Sequence, residues 1–249
     1  MKVTYIHHSA FCVEVAGMAL VFDYYRGDGV PFCKYHGTLP EFPEHTQVYV
    51  FSSHSHRDHF DVETLGWCRR YPKIHYIFAK EAKKKLGNRI LQQFGDGVKE
   101  RITYVKPGGR WDIGGIQVET LTSTDSGVAF VVTAAGKVIY HAGDLHWWKW
   151  EGEPEDFNDY QEKTYQEQIG KLSGRKVDLA FVVLDPRLEK NQFLGIDYFM
   201  EHVQAAYVVP MHLWKQYGLI QEYKDLKKSQ KERDKIIQMD HENQVVELP

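Results

Sequence analysis

With 249 residues, 43% of them hydrophobic and 26% charged, the chain can bury a full core and has the make-up of a packed globular protein, which excludes disorder and collagen-like repetition. Its net charge of −3, from 31 basic and 34 acidic residues, supplies no global attraction to nucleic acid. Apolar stretches such as Leu179–Leu184 run to about half a dozen residues, far below the ~20 needed to cross a bilayer.

The opening "MKVTYIHHSAFCVEV" alternates like a strand and lacks the apolar core of a signal peptide, so a cytoplasmic protein is expected. Strand-like runs then recur at Val3–Ile6, Phe11–Val15, Ala19–Phe22, Val48–Phe51, Ile74–Phe78, Ile116–Leu121, Val128–Thr133, Val138–Tyr140, Leu179–Leu184 and Tyr207–Val209. Ala16-Gly17, Pro107-Gly108-Gly109 and Ala135-Gly136-Lys137 punctuate them as turns. Helical patterns fall at Asp61–Arg70, Lys80–Leu86, Tyr160–Leu172, Ile196–Ala206 and Gln221–Lys235, with a C-terminal helix expected over about 221–238. Strands come in clusters with helices between them, which fits an α+β sandwich of two mixed sheets with outer helices better than a doubly wound sheet. No flexible linker or fixed-period repeat divides the chain, so 1–249 is read as one domain. The stretch 147–172 is the exception. It starts acidic and aromatic, without strand character, and reads as an insertion or lid.

Cys12, Cys33 and Cys68 are an odd set with no C-x-x-C spacing, which argues for reduced thiols rather than a disulfide framework or a zinc knuckle. Between Glu151 and Gln168 seven acidic side chains face Lys163 alone, a composition that repels a polyanion. Lys224–Lys235 holds six basic and three acidic residues and reads as a solvated helix face.

The chemistry concentrates in "SSHSHRDHF". His54, His56, Asp58 and His59 crowd the loop after the run Val48–Phe51, and imidazole beside carboxylate suits zinc, iron or manganese. A polar surface loop is the alternative. One loop cannot close a coordination sphere, so donors from elsewhere are required. "VIYHAGDLH" follows a strand with His141, Asp144 and His146, and "YVVPMHLW" follows another with His212. A lone histidine after a strand is more often hydrogen-bonded structure.

In combination these pieces resemble the metallo-β-lactamase fold superfamily. H-x-H-x-D-H is followed by Gly143-Asp144, about 90 residues after His54, and by His212, about 70 residues later still. The segment "YIHHSAFCVEVAGMALVFD" is similar to the superfamily's opening hairpin leading to an Asp, here Asp23, and the His8-Ser9 opening is similar to its lactonase-like and RNase Z-like branch. The similarity spans Met1 to about Trp214.

The resemblance implies a four-layer αββα sandwich that binds one or two divalent transition-metal ions, zinc foremost, with manganese or iron as alternatives. It further implies that His54 and His56 hold a first ion, Asp58, His59 and His212 a second, and that Asp144 bridges them. A metal-bound hydroxide would be the nucleophile, with Asp58 orienting it. The superfamily usually supplies one more histidine about 20 residues before the bridging Asp, where this chain reads "LTSTDSGVAF". Either Asp125 replaces that imidazole, hardening the site toward manganese or iron, or Asp125 is a turn residue and the first position is weak.

His8 is expected over the site, stabilising an oxyanion or donating a proton to the leaving group, or else buried as a structural histidine. His141 and His146 are candidates for orienting a ligand, Asp185 for the same role or a helix cap, and Arg187 for binding an anionic substrate group. Trp147, Trp148 and Trp150 form either a substrate wall or plain hydrophobic packing. The expectation is therefore a metal-dependent hydrolase of a small substrate, such as a lactone, an ester or a phosphorylated metabolite. An RNase Z-like nucleic-acid processor and a non-catalytic descendant with a weakened first metal position are the alternatives. No membrane partner is expected, and a homo-oligomer is left open.

Overall fold

The computed structural model describes residues 1–27, 34–95 and 97–249, so Cys33 lies outside the described residues. The chain opens with an antiparallel meander, β1 (Lys2–His7), β2 (Ala10–Val15) and β3 (Met18–Phe22). Three strands then add in parallel, β4 (Gln47–Ser52), β5 (Ile74–Ala79) and β6 (Ile102–Val105). A second meander, β7 (Arg110–Ile113), β8 (Ile116–Thr122), β9 (Val128–Ala134) and β10 (Lys137–His141), founds the other sheet. There β11 (Lys176–Val183) and β12 (Gln204–Met211) continue parallel to β10. The last strand, β13 (Gln244–Glu247), returns to pair with β1. Among the described residues the sheets run β13-β1-β2-β3-β4-β5-β6 and β12-β11-β10-β9-β8-β7.

Alternation along the strands decides the layers. Phe11, Phe22 and Phe51 of the first sheet meet Phe130 and Phe181 of the second, with ring centroids 4.2 Å apart for Phe11–Phe181 and 5.2 Å for Phe51–Phe130. The opposite face of the first sheet buries Val21, Val50 and Phe78 beneath Leu65, Leu86 and Leu91. Those leucines come from 3-10 turns at Val62–Arg69 and next to Lys80–Lys84, and from the short α1 (Asn88–Gln93). Outside the second sheet lie α2 (Glu155–Gly170) and α3 (Leu194–His202), where Phe199 stacks on Tyr140 at 5.2 Å. The architecture is the αββα sandwich that the sequence pattern suggested.

Several boundaries differ from the sequence expectation. The C-terminal helix over 221–238 is instead two short helices, α4 (Gly218–Asp225) and α5 (Gln230–Lys235). Ser229 starts the second one with a capping box, its side chain accepting from the Glu232 N–H while the Glu232 carboxylate accepts from the Ser229 N–H. The patterns at Asp61–Arg70 and Lys80–Leu86 are 3-10 rather than α, and α3 ends at His202 because the chain then enters β12. The stretch 147–172 contains α2, which Tyr165 and Ile169 anchor in the core. Tyr165 donates its hydroxyl hydrogen to the Gly195 carbonyl, and Gln168 accepts from the Thr122 N–H. Among the described residues no helix is long and apolar enough to cross a membrane.

One consequence of this topology positions everything that follows. Strands β1, β3 and β4 run in the same direction in one sheet, and β10, β11 and β12 do so in the other. Their C-terminal ends deliver His8, Asp23 and His54 from the first sheet, and Asp144, Asp185 and His212 from the second, to one rim of the sandwich.

Candidate metal centre

The loop after β4 leaves the sheet at Ser53 and is pressed from behind by two glycines with left-handed φ. A Cβ on Gly127 (φ +69°) would meet the Ser53 carbonyl oxygen at 2.0 Å, and one on Gly143 (φ +53°) would meet the Ser53 Cβ at 2.5 Å. Only glycine permits both the backbone angle and the approach at these positions. The close fit brings the Gly143-Asp144 turn against His54.

The donor atoms converge as follows. His54 Nε2 lies 3.3 Å from one Asp144 carboxylate oxygen, and His59 Nε2 lies 3.2 Å from the other. His212 Nε2 stands 3.6 Å from that second oxygen, and Asp58 lies 3.8 Å from His59 Nε2. His56 Nδ1 and Asp125 are 3.7 Å apart at the exposed lip. The donors fall into two groups, each with its ligand atoms within 4.8 Å of one another: His54, His56, Asp125 and Asp144, and His8, Asp58, His59 and His212. Asp144 turns one oxygen to each group.

The back sides of these rings set their tautomers. His59 Nδ1 donates to buried Asp23 at 2.7 Å. His54 Nδ1 lies 2.9 Å from Ser53 Oγ, which itself donates to Asp23 at 2.6 Å, so the imidazole is the donor to the serine. His212 Nδ1 donates to Asp185 at 2.8 Å. With Nδ1 engaged in this way, each of the three rings turns its Nε2 to the same small space, where a bound ion would take the place of any proton.

Burial makes that space costly to leave unfilled. His8 Nε2, His54 Nε2, His59 Nε2, His212 Nε2 and Asp144 Oδ1 are all buried and have no hydrogen-bond partner among the described residues. An unsatisfied buried polar atom costs about 1–3 kcal/mol, so five in one place are tolerated where a cation completes them. The donor set of imidazoles and carboxylates is that of zinc, iron or manganese.

The charges are strongly coupled. Burial opposes ionisation of Asp144, yet the imidazoles of His59 and His54 hold its carboxyl well below the usual range. Asp58 is lowered despite its burial, chiefly by His59 and then by His8. Burial likewise opposes charge on His59, but Asp144, Asp58 and Asp23 together carry it up to about 10. Burial, reinforced by His212, pushes His8 down to about 3.

Above the donors opens a cavity of about 280 Å³. Trp148, Trp150, Phe157 and Trp214 wall it, and Arg187, Asp58, Asp125 and Asp144 are among its polar residues. The guanidinium of Arg187 lies 4.6 Å from the Trp214 ring centroid and 5.5 Å from that of Trp150. Asp185 holds it through Nε at 3.0 Å and Nη2 at 2.6 Å, and the same carboxylate accepts from Trp214 Nε1 at 3.3 Å.

The comparisons fit this geometry. A family model described as "Beta-lactamase superfamily domain" matches residues 2–149. The chain belongs to this family. Its fold is the metallo-β-lactamase fold, as solved structures of similar shape show. The β-lactamase-superfamily chain is similar to Igni18, a metallo hydrolase from the archaeon Ignicoccus hospitalis, at a TM-score of 0.65 and 21% identity over 98% of this chain and 97% of that one. It is similar to Zn²⁺-bound PqqB from Methylobacterium extorquens at a TM-score of 0.56 and 11% identity, with each chain covered in full at 100%. It also resembles CmlA, a diiron β-hydroxylase from Streptomyces venezuelae, at a TM-score of 0.55 and 15% identity over 85% of this chain and 44% of that one. No curated protein sequence matches the chain.

The residues singled out by sequence divide clearly. His54, His56, Asp58, His59, Asp125, Asp144 and His212 come together. The Asp125 carboxylate makes no local hydrogen bond among the described residues, whereas Thr124 does structural duty, its hydroxyl donating to the His146 carbonyl at 2.6 Å. His8 joins the donors rather than standing over them, with its ring centroid 4.1 Å from that of His212. His141 sits behind the site, its Nε2 donating to the Ser9 carbonyl at 2.9 Å. His146 is buried beside Trp148 and Tyr165, and neither of its ring nitrogens has a hydrogen-bond partner among the described residues. Asp185 both caps the 3-10 turn Pro186–Asn191 and orients His212. Of the tryptophans, Trp148 and Trp150 line the cavity and Trp147 packs on Tyr198. The roles of Ser53, Phe157 and Trp214 were not legible in the sequence, because each acts through contacts with residues distant along the chain.

Proposed function

We propose that the protein is a metal-dependent hydrolase of a small substrate, of the lactone, ester or phosphorylated-metabolite class. The observation that carries the reading is the convergence of five buried, unpartnered donor atoms at the floor of an aromatic-walled cavity. Residues His54, His56, Asp125 and Asp144 would hold a first ion, and Asp58, His59, His212 and Asp144 a second. Zinc, manganese or iron held there would lower the pKa of water and polarise a carbonyl or phosphoryl oxygen.

The chain's own residues define the remaining roles. Asp58 stays ionised and faces the cavity, where its carboxylate orients a water by accepting its hydrogen. The Arg187 Nη1 makes no hydrogen bond among the described residues, which leaves it free for a substrate carboxylate or phosphate while Asp185 fixes the rest of the group. Four aromatic walls exclude water from an apolar substrate portion. A volume near the lower end of ligand pockets favours a small molecule over a nucleic-acid strand, and the acidic flank Glu151–Gln168 supports the same preference. The His8-Ser9 opening supports placing the chain in the lactonase-like branch. The unpaired Cys12 and Cys68 fit a reducing, cytoplasmic setting.

Metal analysis of protein purified without chelator tests the reading. One to two transition-metal ions per chain are expected, with loss of both metal and ester, lactone or phosphodiester turnover in His54→Ala and Asp144→Ala. Metal-free protein that hydrolyses such a panel as well as the loaded form would refute it.

A further inference from the structure

We infer that His8 is a ligand of the second metal position through its Nε2, giving that position five protein donors: His8, Asp58, His59, His212 and one oxygen of Asp144. The inference rests on the proposed metal-dependent reading and extends it, because the four other residues suffice for a metal site without His8.

Three features of the structure carry it. First, His8 Nε2 is fully buried and has no hydrogen-bond partner among the described residues. Its nearest carboxylate oxygen, on Asp58, stands 3.6 Å away, beyond hydrogen-bonding distance. Second, that separation belongs to a set: 3.6 Å from His8 to Asp58, 3.8 Å from His59 to Asp58, 3.2 Å from His59 to Asp144 and 3.6 Å from His212 to Asp144. Donors about 2.1 Å from a common ion lie roughly 3.0–3.5 Å apart; the His59–Asp144 pair at 3.2 Å has that spacing and the pairs at 3.6 Å and 3.8 Å need draw in by only a few tenths of an ångström to share one cation.

Third, the ring is held in place from behind. Tyr35 takes up Nδ1 through its hydroxyl at 3.1 Å, as Asp23 does for His59 and Asp185 for His212. The His8 backbone adopts φ +51°, a left-handed conformation that a non-glycine residue occupies at some cost. Its N–H donates to the Tyr5 hydroxyl at 2.9 Å, and its carbonyl accepts from the His212 N–H at 3.3 Å. The strained turn after β1 is thereby locked to the end of β12, and two ligand-bearing turns are fixed to each other.

The two positions are then unequal. The first has two imidazoles and two carboxylates, with His56 and Asp125 half exposed at the lip. The second has three imidazoles and two carboxylates in a buried setting, with room for one exchangeable ligand from the cavity. Five protein donors suit ions that accept five or six ligands, such as Fe²⁺, Mn²⁺ or Co²⁺, better than tetrahedral zinc. They also predict that the second position fills first and empties last.

Cobalt titration of metal-free protein tests this with Co²⁺ alone as the probe. In the wild type the tighter site should show the weak visible absorption of a five- or six-coordinate ion. His8→Ala should raise the dissociation constant of that site by about 10–100-fold, the range typical for disturbing a metal shell, and intensify the absorption as the coordination number falls. The weaker site should be unchanged. An unaltered tight-site affinity and spectrum in His8→Ala would overturn the inference while leaving the metal centre intact. Failure of the wild type to bind Co²⁺ at all would overturn both. X-ray absorption of wild-type protein carrying one equivalent of Co²⁺ decides the matter without any variant: five or more nitrogen and oxygen neighbours with three imidazoles are expected, and a four-coordinate ion with two imidazoles refutes the assignment.

Discussion

Replacing Asp185 with alanine is the most direct probe of how the site is held. Its carboxylate is fully buried and accepts from the Arg187 N–H at 2.9 Å, the Arg187 guanidinium, His212 Nδ1 at 2.8 Å and Trp214 Nε1 at 3.3 Å. Alanine strands the His212 N–H in a buried setting and frees the imidazole to rotate or change tautomer. Arg187 is 45% exposed in its side chain, so water recovers much of what the guanidinium loses and that pair contributes little to the difference. The remaining loss, a buried charge-assisted hydrogen bond plus the cap of the Pro186–Asn191 turn, comes to about 2–3 kcal/mol. For a chain of this length that lowers the melting temperature by roughly 4–12 °C. Metal affinity at the position served by His212 should fall 10–100-fold, while the position served by His54 keeps its affinity. Calorimetric melting and metal titration of Asp185→Ala measure both. Wild-type metal affinity in a folded variant would show that His212 needs no orienting carboxylate, and the reasoning from tautomer to site would fail.

Other expectations follow from the same geometry. In metal-free protein His59 is raised to about 10 and so carries a proton at neutral pH. Since its folded value lies above the ordinary 6.5, the stability it contributes is complete below pH 6.5 and is lost as pH rises through about 10. Loading metal must displace that proton, so titration calorimetry in buffers of different ionisation enthalpy should show proton release at pH 7, and affinity should climb by about tenfold per pH unit up to that value. A pH-independent affinity between pH 7 and 9 would contradict this. Gly143→Ala forces a Cβ against Ser53 at 2.5 Å in a left-handed backbone and should cost about 2 kcal/mol or more, read by urea denaturation. Arg187→Met should raise KM for anionic substrates at least tenfold and leave neutral esters of similar size within about threefold, as measured by steady-state kinetics.

Much of the scaffold could be read from the chain because buried strands carry their own signal. Val48–Phe51 and Leu179–Leu184 are apolar runs of strand length, and each falls on an interior strand flanked on both sides. Strands β6, β7 and β13 escaped that reading. They are four-residue edge or near-edge segments in which exposed side chains such as Arg110 and Asp112 dilute the pattern. Helix α2 begins at Glu155 rather than Tyr160 because Glu155 and Asp156 in its first turn complement the helix dipole, a charge signal that hydrophobic spacing does not register. The 3-10 turns at Val62 and Lys80 share apolar spacing with α-helices over so few residues that periodicity cannot separate them.

The site divides along the same line between local and distant information. The crowding of His54, His56, Asp58 and His59 is local and therefore visible, whereas the choice between Asp125 as a donor and Asp125 as a turn residue depends on what faces it across the cavity. The structure places His56 there, 3.7 Å from the carboxylate. It also gives Thr124 a different task, since its hydroxyl accepts from the His146 N–H at 2.9 Å and donates to the His146 carbonyl, tying the turn that carries Asp144. A histidine at Thr124 would lose both bonds and loosen the Asp144 turn shared by the two donor groups. On the proposed reading, the departure from the superfamily pattern would exchange one donor for a more firmly held Asp144 turn. On the proposed reading, the buried position with His8 beside it would carry the greater share of metal binding, and the exposed position at Asp125 would be the exchangeable one.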